Sequence, residues 1–383
     1  MSMFQVIILT VAILGVFFLA ATLIGIWRFR KKVNKADPIQ LAHLMREKLD
    51  KGEAALSCRI NRKLWLDINE NVEFPIASVP QVFIALEYAK QAANEKVNPK
   101  ELIQVDELTV FYIAKTDGNA HLNWLASLNN PTEVTLKQIV EGMVVYGSNA
   151  NTDYLIKKLG IDSINETLNE SELNIHDNVL PITSQLYLPV KLINDGMSKS
   201  EAFDYIEELS RKDFEKEVLL AFDDWCASPP SESVKSEVYS LMSMSFQKLW
   251  TNKLSKSTTR DYAKLMGRLN RETFYSEDIY AHFTPLLHTK EKIDPEIKYY
   301  AQKAGSTAYA ISLVSYAETI SNHIELVYMF NNLNTMEQTT IRGIVERFQK
   351  EFMVDPDFRR KVKKVLTEPL EEKKKKRKKE KKK

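Results

Sequence analysis

The residues of this chain best placed to do chemistry begin with Ser78. It lies in the run Phe74-Pro75-Ile76-Ala77-Ser78-Val79-Pro80-Gln81, which leads into the strongly apolar stretch Val82–Gln91. A serine at a helix tip has its Oγ beside free backbone N–H groups and the positive end of the helix dipole. Both favour an alkoxide, so Ser78 is suited to act as a nucleophile. The competing reading is structural, because Ser-x-x-Gln is also a capping box. Ser78 would then bind the third backbone N–H and Gln81 would reach back to the cap, for about 1 kcal/mol and no chemistry. Two further stretches place polar groups at element ends: Tyr146-Gly147-Ser148-Asn149-Ala150-Asn151 and Lys303-Ala304-Gly305-Ser306-Thr307. Alone, an Asn-rich loop before a helix is an N-cap, and Lys-x-Gly is a turn. The six histidines are scattered, with no His-x-x-x-His pair and no acidic residue at ligand spacing. No zinc site is expected, no glycine-rich phosphate loop is present, and no cofactor is implied.

The elements that must position these residues follow from hydrophobic patterning. Asp37-Pro38 followed by Leu41, Leu44, Met45 and Leu49, then Gly52, predicts a capped amphipathic helix. Two short strands, Ala54–Ile60 and Lys63–Ile68, are joined by a tight turn at Asn61-Arg62. Helical patterning dominates from about Val79 to about Leu287. Alternating β-rich runs return at Lys298–Lys303, Ala308–Glu318 and His323–Phe330, before a last helix over Thr335–Met353. Strands at both ends of a long helical middle predict an α+β fold. One antiparallel sheet is built from both ends of the domain, flanked by helices, with an inserted all-α domain.

In this order the motifs resemble those of the serine β-lactamases and penicillin-binding proteins. The run around Ser78 is similar to their Ser-x-x-Lys motif, with the Phe-Pro common in class A enzymes ahead of it, and Gln81 stands in place of the base lysine. Gly147-Ser148-Asn149, continuing into Tyr154-Leu155-Ile156, resembles the Ser-x-Asn element. Gly147 then falls at the motif serine and Asn149 at the motif asparagine, which would hydrogen-bond a substrate amide. A register shifted by one keeps Ser148 and loses the asparagine to Ala150. Lys303-Ala304-Gly305 resembles Lys-Thr-Gly: the lysine would present a cation to a substrate carboxylate, and Gly305 and Ser306 would lie along the substrate backbone. Thr116–His121 with Trp124, and Ser257–Ala263, look like two further family stretches, and His121 is placed near the cleft. The resemblance covers about Glu53 to Phe352, interrupted by a helical insert near residues 196–256.

The resemblance implies a serine acyl-enzyme acting on β-lactams or D-Ala-D-Ala-type peptides, with part of the apparatus gone. A glutamine amide is no useful base near neutral pH, and losing a general base costs about 10²–10⁴ in rate. Lys303 and Tyr146 are the candidate substitutes. The stretch Leu173–Leu188 holds no Glu-x-x-x-Asn pattern for deacylation; Glu172 lies just ahead of it without a partner four residues on. The alternative is a pseudoenzyme whose cleft binds a peptide or partner protein without turnover.

The ends carry their own message. Phe4–Trp27 holds 24 positions without a formal charge, enough to cross a bilayer as a helix. No basic residue precedes it, so a retained anchor is favoured over a cleaved signal. Arg28, Arg30, Lys31, Lys32 and Lys35 follow it, which by the positive-inside tendency places the body in the cytoplasm, whereas the family works outside. The organisation expected is an anchor over 4–27, a juxtamembrane segment and helix over 28–52, the catalytic-type domain over 53–353 and a charged tail over 354–383. Glu371–Lys383 carries net +7 within a total of +2 for 383 residues, so the remainder is mildly acidic and does not read as a nucleic-acid binder. The tail is expected to be disordered; a solvated solubility tail ranks first, a clamp on anionic lipid second and nucleic acid third. Cys58 and Cys226 are expected as two independent thiols.

Overall fold

The structure is a computed structural model that describes residues 3–33, 35–289 and 293–368. The lysine-rich run 371–383 lies outside the described residues. The chain divides into two compact units, Lys48–Leu333 and a unit made from the chain ends, Met1–Glu47 with Asn334–Lys383.

The ends contribute α1 (Met3–Val33) and α2 (Gln40–Leu49). The first contains the stretch Ala12–Phe29, long and apolar enough to cross a membrane. In the second, Leu41, Met45 and Leu49 are buried as their spacing predicts, and Asp37 Oδ1 accepts from Ile39 N at 3.0 Å at its start.

The larger unit opens with β1 (Ala54–Ile60), β2 (Lys63–Ile68) and β3 (Phe74–Pro75). Asn61 and Arg62 both have positive φ, +50° and +69°, which makes the two-residue turn of a twisted hairpin. Then come α3 (Gln81–Ala93), β4 (Leu102–Gln104), α4 (Val105–Thr109), α5 (Ala120–Ser127), β5 (Glu133–Thr135) and α6 (Leu136–Glu141). A π-helical turn, Gly142–Tyr146, separates α6 from α7 (Asn149–Leu159), and α8 (Ile161–Glu170) and α9 (Ile182–Asn194) follow. Four helices fill the stretch between residues 196 and 256: α10 (Lys199–Glu208), α11 (Arg211–Ala227), α12 (Glu232–Ser240) and α13 (Met244–Lys253). The chain returns through β6 (Lys256–Ser257), α14 (Thr259–Arg271) and α15 (Glu277–Leu287) to β7 (Ile297–Ser306), β8 (Ile311–Thr319) and β9 (His323–Phe330).

The five long strands form one antiparallel sheet in the order β2-β1-β9-β8-β7, so the sheet is closed by both ends of the unit. Helix α14 packs on β1, β8 and β9; Ser57 Oγ donates to Thr259 Oγ1 at 3.1 Å and Asn270 Nδ2 to Glu325 Oε1 at 2.7 Å. Helix α3 is buried from Gln81 through Ala89, as a helix at the centre of a fold is, with its buried polar groups Gln81 and Glu87 bonded to Thr152 and Thr167.

Two strand limits differ from the alternation in the sequence. The strand expected to end at Lys303 runs on to Ser306, because Gly305 and Ser306 keep pairing with Ser312 and Ile311. The next strand begins at Ile311 rather than Ala308, because Thr307 Oγ1 accepts from Tyr309 N and Ala310 N at 3.1 and 3.0 Å and turns the chain there. The chain ends close with α16 (Thr335–Val354), capped by Asn334, and α17 (Pro356–Thr367).

Candidate active site

Ser78 is carried by a short turn between β3 and α3. β3 is held by pairing with β6, Ile76 N donates to Ser255 O at 3.0 Å, and Ser312 Oγ donates to Pro75 O at 3.0 Å. Ala77 then adopts φ +46°, a left-handed conformation that costs an L-residue about 1–2 kcal/mol and persists only where its surroundings impose it. Ser78 is half-buried, and among the described residues its hydroxyl has no hydrogen-bond partner. The capping box that Ser-x-x-Gln allows is not formed. Helix α3 starts at Gln81 with Pro80 at its cap and no side-chain cap bond, so the serine stands a turn ahead of the helix.

Gln81 turns instead to α7. Its Nε2 donates to Thr152 Oγ1 at 2.9 Å, and Thr152 Oγ1 donates to Ser148 O at 2.7 Å. The single hydroxyl hydrogen of Thr152 is spent on that carbonyl, so its oxygen must accept and the amide is fixed with Nε2 towards it. Among the described residues Gln81 Oε1 is consequently left buried without a donor.

The loop before α7 has two characters. Tyr146, the last residue of the π-helical turn, is 41% exposed. Gly147 has φ +80°, and a Cβ built on it meets nothing within 4 Å. Ser148, by contrast, is fully buried and caps α7, accepting from Asn151 N at 3.2 Å and donating to Asn151 Oδ1 at 3.0 Å. His121 Nδ1 lies 3.0 Å from the same Ser148 Oγ and 3.1 Å from Asn151 Oδ1. The His121 ring is 1% exposed and burial holds its pKa below the usual value, so it lies beneath the helix start. Asn149 is the first residue of α7 and is 8% exposed.

Strand β7 completes the arrangement. Lys303 is buried, and its Nζ donates to Met143 O at 3.0 Å and Val144 O at 2.8 Å, both in the π-helical turn. Burial pushes its pKa down to about 7. Two residues on, on the same strand face, a Cβ on Gly305 would lie 2.6 Å from Ser78 N and 2.4 Å from Ile76 O. Only a glycine lets the strand backbone pass this close to the serine turn. Ser306, the exposed strand end, pairs with Ile311. Three distant segments are thus joined by direct contacts: Gly305 to the Ser78 turn, Gln81 to α7, and Lys303 to the turn before Tyr146-Gly147. The junction holds a free hydroxyl, a nearby strand backbone and a lysine of lowered basicity, the parts from which an acyl transfer is built.

The start of α9 is held by Asp153 of α7. Its carboxylate accepts from Ile182 N at 2.8 Å and Thr183 N at 2.7 Å and also binds the Thr183 hydroxyl. Full burial pushes its pKa up to about 6 against these bonds. Ser184 Oγ and Gln185 Oε1, next along α9, are buried without partners among the described residues. Sequence reasoning missed Thr152, Asp153 and the carbonyls of Met143 and Val144. It also missed Gly142, where a Cβ would lie 2.2 Å from Asn151 Nδ2 and 2.7 Å from Trp124. A glycine inside a helical pattern was the one signal available for that last residue.

The profile of the beta-lactamase enzyme family matches residues 41–306. Among solved structures, a beta-lactamase from Sphaerobacter thermophilus is similar with a TM-score of 0.52 at 13% identity, covering 84% of this chain and 100% of that one. The TLA-1 extended-spectrum beta-lactamase gives 0.50 at 9% identity, over 80% and 98%. A mutant of PBP-A, solved as an acyl-enzyme complex with penicillin G, gives 0.49 at 11%, over 82% and 97%. Likeness at such low identity speaks to the fold. No curated protein matches the chain in sequence.

Proposed function

Because the chain belongs to the beta-lactamase enzyme family, we propose that Ser78 is an acylating nucleophile for β-lactams or D-Ala-D-Ala-type peptides, working with an impaired base. Its Oγ attacks the amide carbonyl, the C–N bond breaks, an ester to Ser78 remains, and the serine proton passes to the leaving nitrogen. The observation that carries this reading is the approach of Gly305 to Ser78 N. It brings the strand backbone alongside the Ser78 amide, one of the backbone N–H groups towards which an acyl oxygen at this serine can point. Gln81, held by Thr152, supplies no base. Acylation is therefore slow, and with no carboxylate following the Glu-x-x-x-Asn pattern the ester persists. A fluorescent penicillin incubated at high concentration with the folded protein is expected to label it covalently and to fail on Ser78→Ala. No label on the folded wild type under those conditions overturns the reading.

A second reading is favoured by the two polar groups that face inwards, Gln81 Nε2 on Thr152 and Lys303 Nζ on two carbonyls. The cleft then binds a peptide or a partner protein without turnover, and Ser78→Ala leaves that binding intact.

For α1 the reading is a retained single-pass anchor. Its support is the apolar stretch Ala12–Phe29, long enough to cross a bilayer. Resistance to alkaline extraction from membranes, with the amino terminus intact by mass, is the expected result; a processed terminus marks a signal sequence instead.

A further inference from the structure

The stretch that holds α9 to α13 leaves and re-enters the larger unit at one point. His176 pairs with Ser257 in an isolated bridge, and Asp177 N donates to Lys256 O at 3.0 Å. Between those ends the helices share a core of their own, in which Leu188 and Leu192 of α9 meet Phe214, Val218 and Leu249. A segment with its own core is a body, not a loop. It stands on both sides of the Ser78 junction. On the strand side, Thr307, two residues past Gly305, has its Oγ1 2.9 Å from Thr251 Oγ1 of α13. Tyr309 OH donates to Met244 O at 3.2 Å, and Lys248 Nζ lies 5.1 Å from the centre of the Tyr309 ring. Ser255, just after α13, accepts from Ile76 N, two residues ahead of Ser78. On the helix side, Trp225 Nε1 donates to Val110 O at 3.2 Å and Lys235 Nζ to Thr109 O at 3.0 Å. Lys115 Nζ lies 5.1 Å from the centre of the Tyr239 ring. This part of the chain reaches the junction through Tyr112, which lies against the His121 ring beside Ser148. The two feet are joined by Tyr239–Met244, which spans about 20 Å at most.

We propose that the helical insert α10–α13 is the acyl-side wall of the Ser78 site: it closes the groove along β7 at the Thr307 end, so that Ser78 takes acyl donors with a short substituent beside the carbonyl. This rests on the reading of Ser78 as an acylating nucleophile. β7 is the last strand of its sheet, so a ligand can lie along it past the Ser78 turn. The direction follows from charge. In a β-lactam the carboxylate is carried by the carbon next to the leaving nitrogen, and the cation on β7 is Lys303, two residues before Gly305. The acyl substituent then points the other way, towards Thr307. Two strand residues separate Gly305 from Thr307, about 7 Å. A longer substituent meets α13 where Thr251, Met244 and Lys248 hold the turn after β7.

The test follows ester formation on the folded full chain by intact mass, with Ser78→Ala as the blank. Two compounds with one nucleus are compared: 6-aminopenicillanic acid, which carries a bare amino group beside the carbonyl, and piperacillin, which carries a long aryl chain there. The wild type is expected to form the ester with the first about tenfold faster or more. Tyr309→Ala, which removes the seat of α13, and Tyr239→Ala, which removes the seat of Lys115, are each expected to narrow that ratio, the first by more. Tyr239 is exposed, so its variant keeps the test decisive should Tyr309→Ala fail to fold. No ester with either compound on the wild type overturns the reading of Ser78 and the wall with it. Esters at equal rates, or faster with piperacillin, overturn the wall alone, as does a ratio that no folded variant changes.

Discussion

The strand side and the helix side of the Ser78 junction have been treated differently. On the strand side everything depends on backbone: the Ala77 turn, the passage of Gly305, and the amide of Ser78. On the helix side everything depends on side chains: an amide at Gln81, no side chain at Gly147, and a lysine at 303 held on two carbonyls. The difference teaches that cleft shape and backbone donors tolerate sequence change more readily than side-chain chemistry does, because a backbone N–H needs no particular residue to carry it.

The comparison can be broken first at Gln81. If the helix side alone is defective, Gln81→Lys is expected to raise the rate of penicillin acylation by about 10²–10⁴, measured with a fluorescent β-lactam. No gain in a folded variant means that the strand side has drifted as well. Next in size is the strand side itself. Gly305→Ala forces a Cβ against the Ile76 carbonyl and is expected to cost about 2–3 kcal/mol in urea unfolding and to remove labelling. A neutral result there would show the contact to be loose.

A third experiment sharpens the role of Lys303. Its proton leaves at about 7 in the folded protein, but nearer 10.4 in the unfolded chain. Between those values the unfolded chain binds more protons, so stability rises with pH across that window, and the burial cost is fully present below pH 7. Lys303→Met is expected to flatten that rise, read as the urea midpoint at pH 6.5, 8 and 9.5, each about a unit or more apart. An unchanged slope would place the ammonium in contact with water. The smallest effect belongs to Gly147→Ser. The new Cβ has open space, and the cost is the φ of +80°, about 1–2 kcal/mol. If the added hydroxyl also speeds acylation in the Gln81→Lys background, the loop retains its alignment with Ser78.

Legibility in the sequence followed the range of the interaction. The hairpin at Asn61-Arg62 and the alternation of His323–Phe330 are local patterns, and with them the sheet could be read. Gly305 was harder, since Lys-x-Gly looks like a turn until Ser312 pairs with it across β8. The partner of Gln81 was invisible. Ser-x-x-Gln satisfies a local capping rule, and nothing near it announces that Thr152 on another helix competes for the amide. The π-helical turn left no mark either: one extra residue in a helix changes which carbonyls face outwards, and the two that hold Lys303 became available that way.

The pairing of Ala54 with Phe330 sets a timetable for synthesis. β1 leaves the ribosome early, yet its neighbour β9 emerges only after the whole helical middle, so one edge of β1 stays open for nearly the entire translation of the domain. Closing so long a loop is entropically slow, and a waiting strand is a template for wrong pairing. The hairpin with β2 covers the other edge of β1 at once, so β1 itself waits with one open row of amides until the last strand arrives.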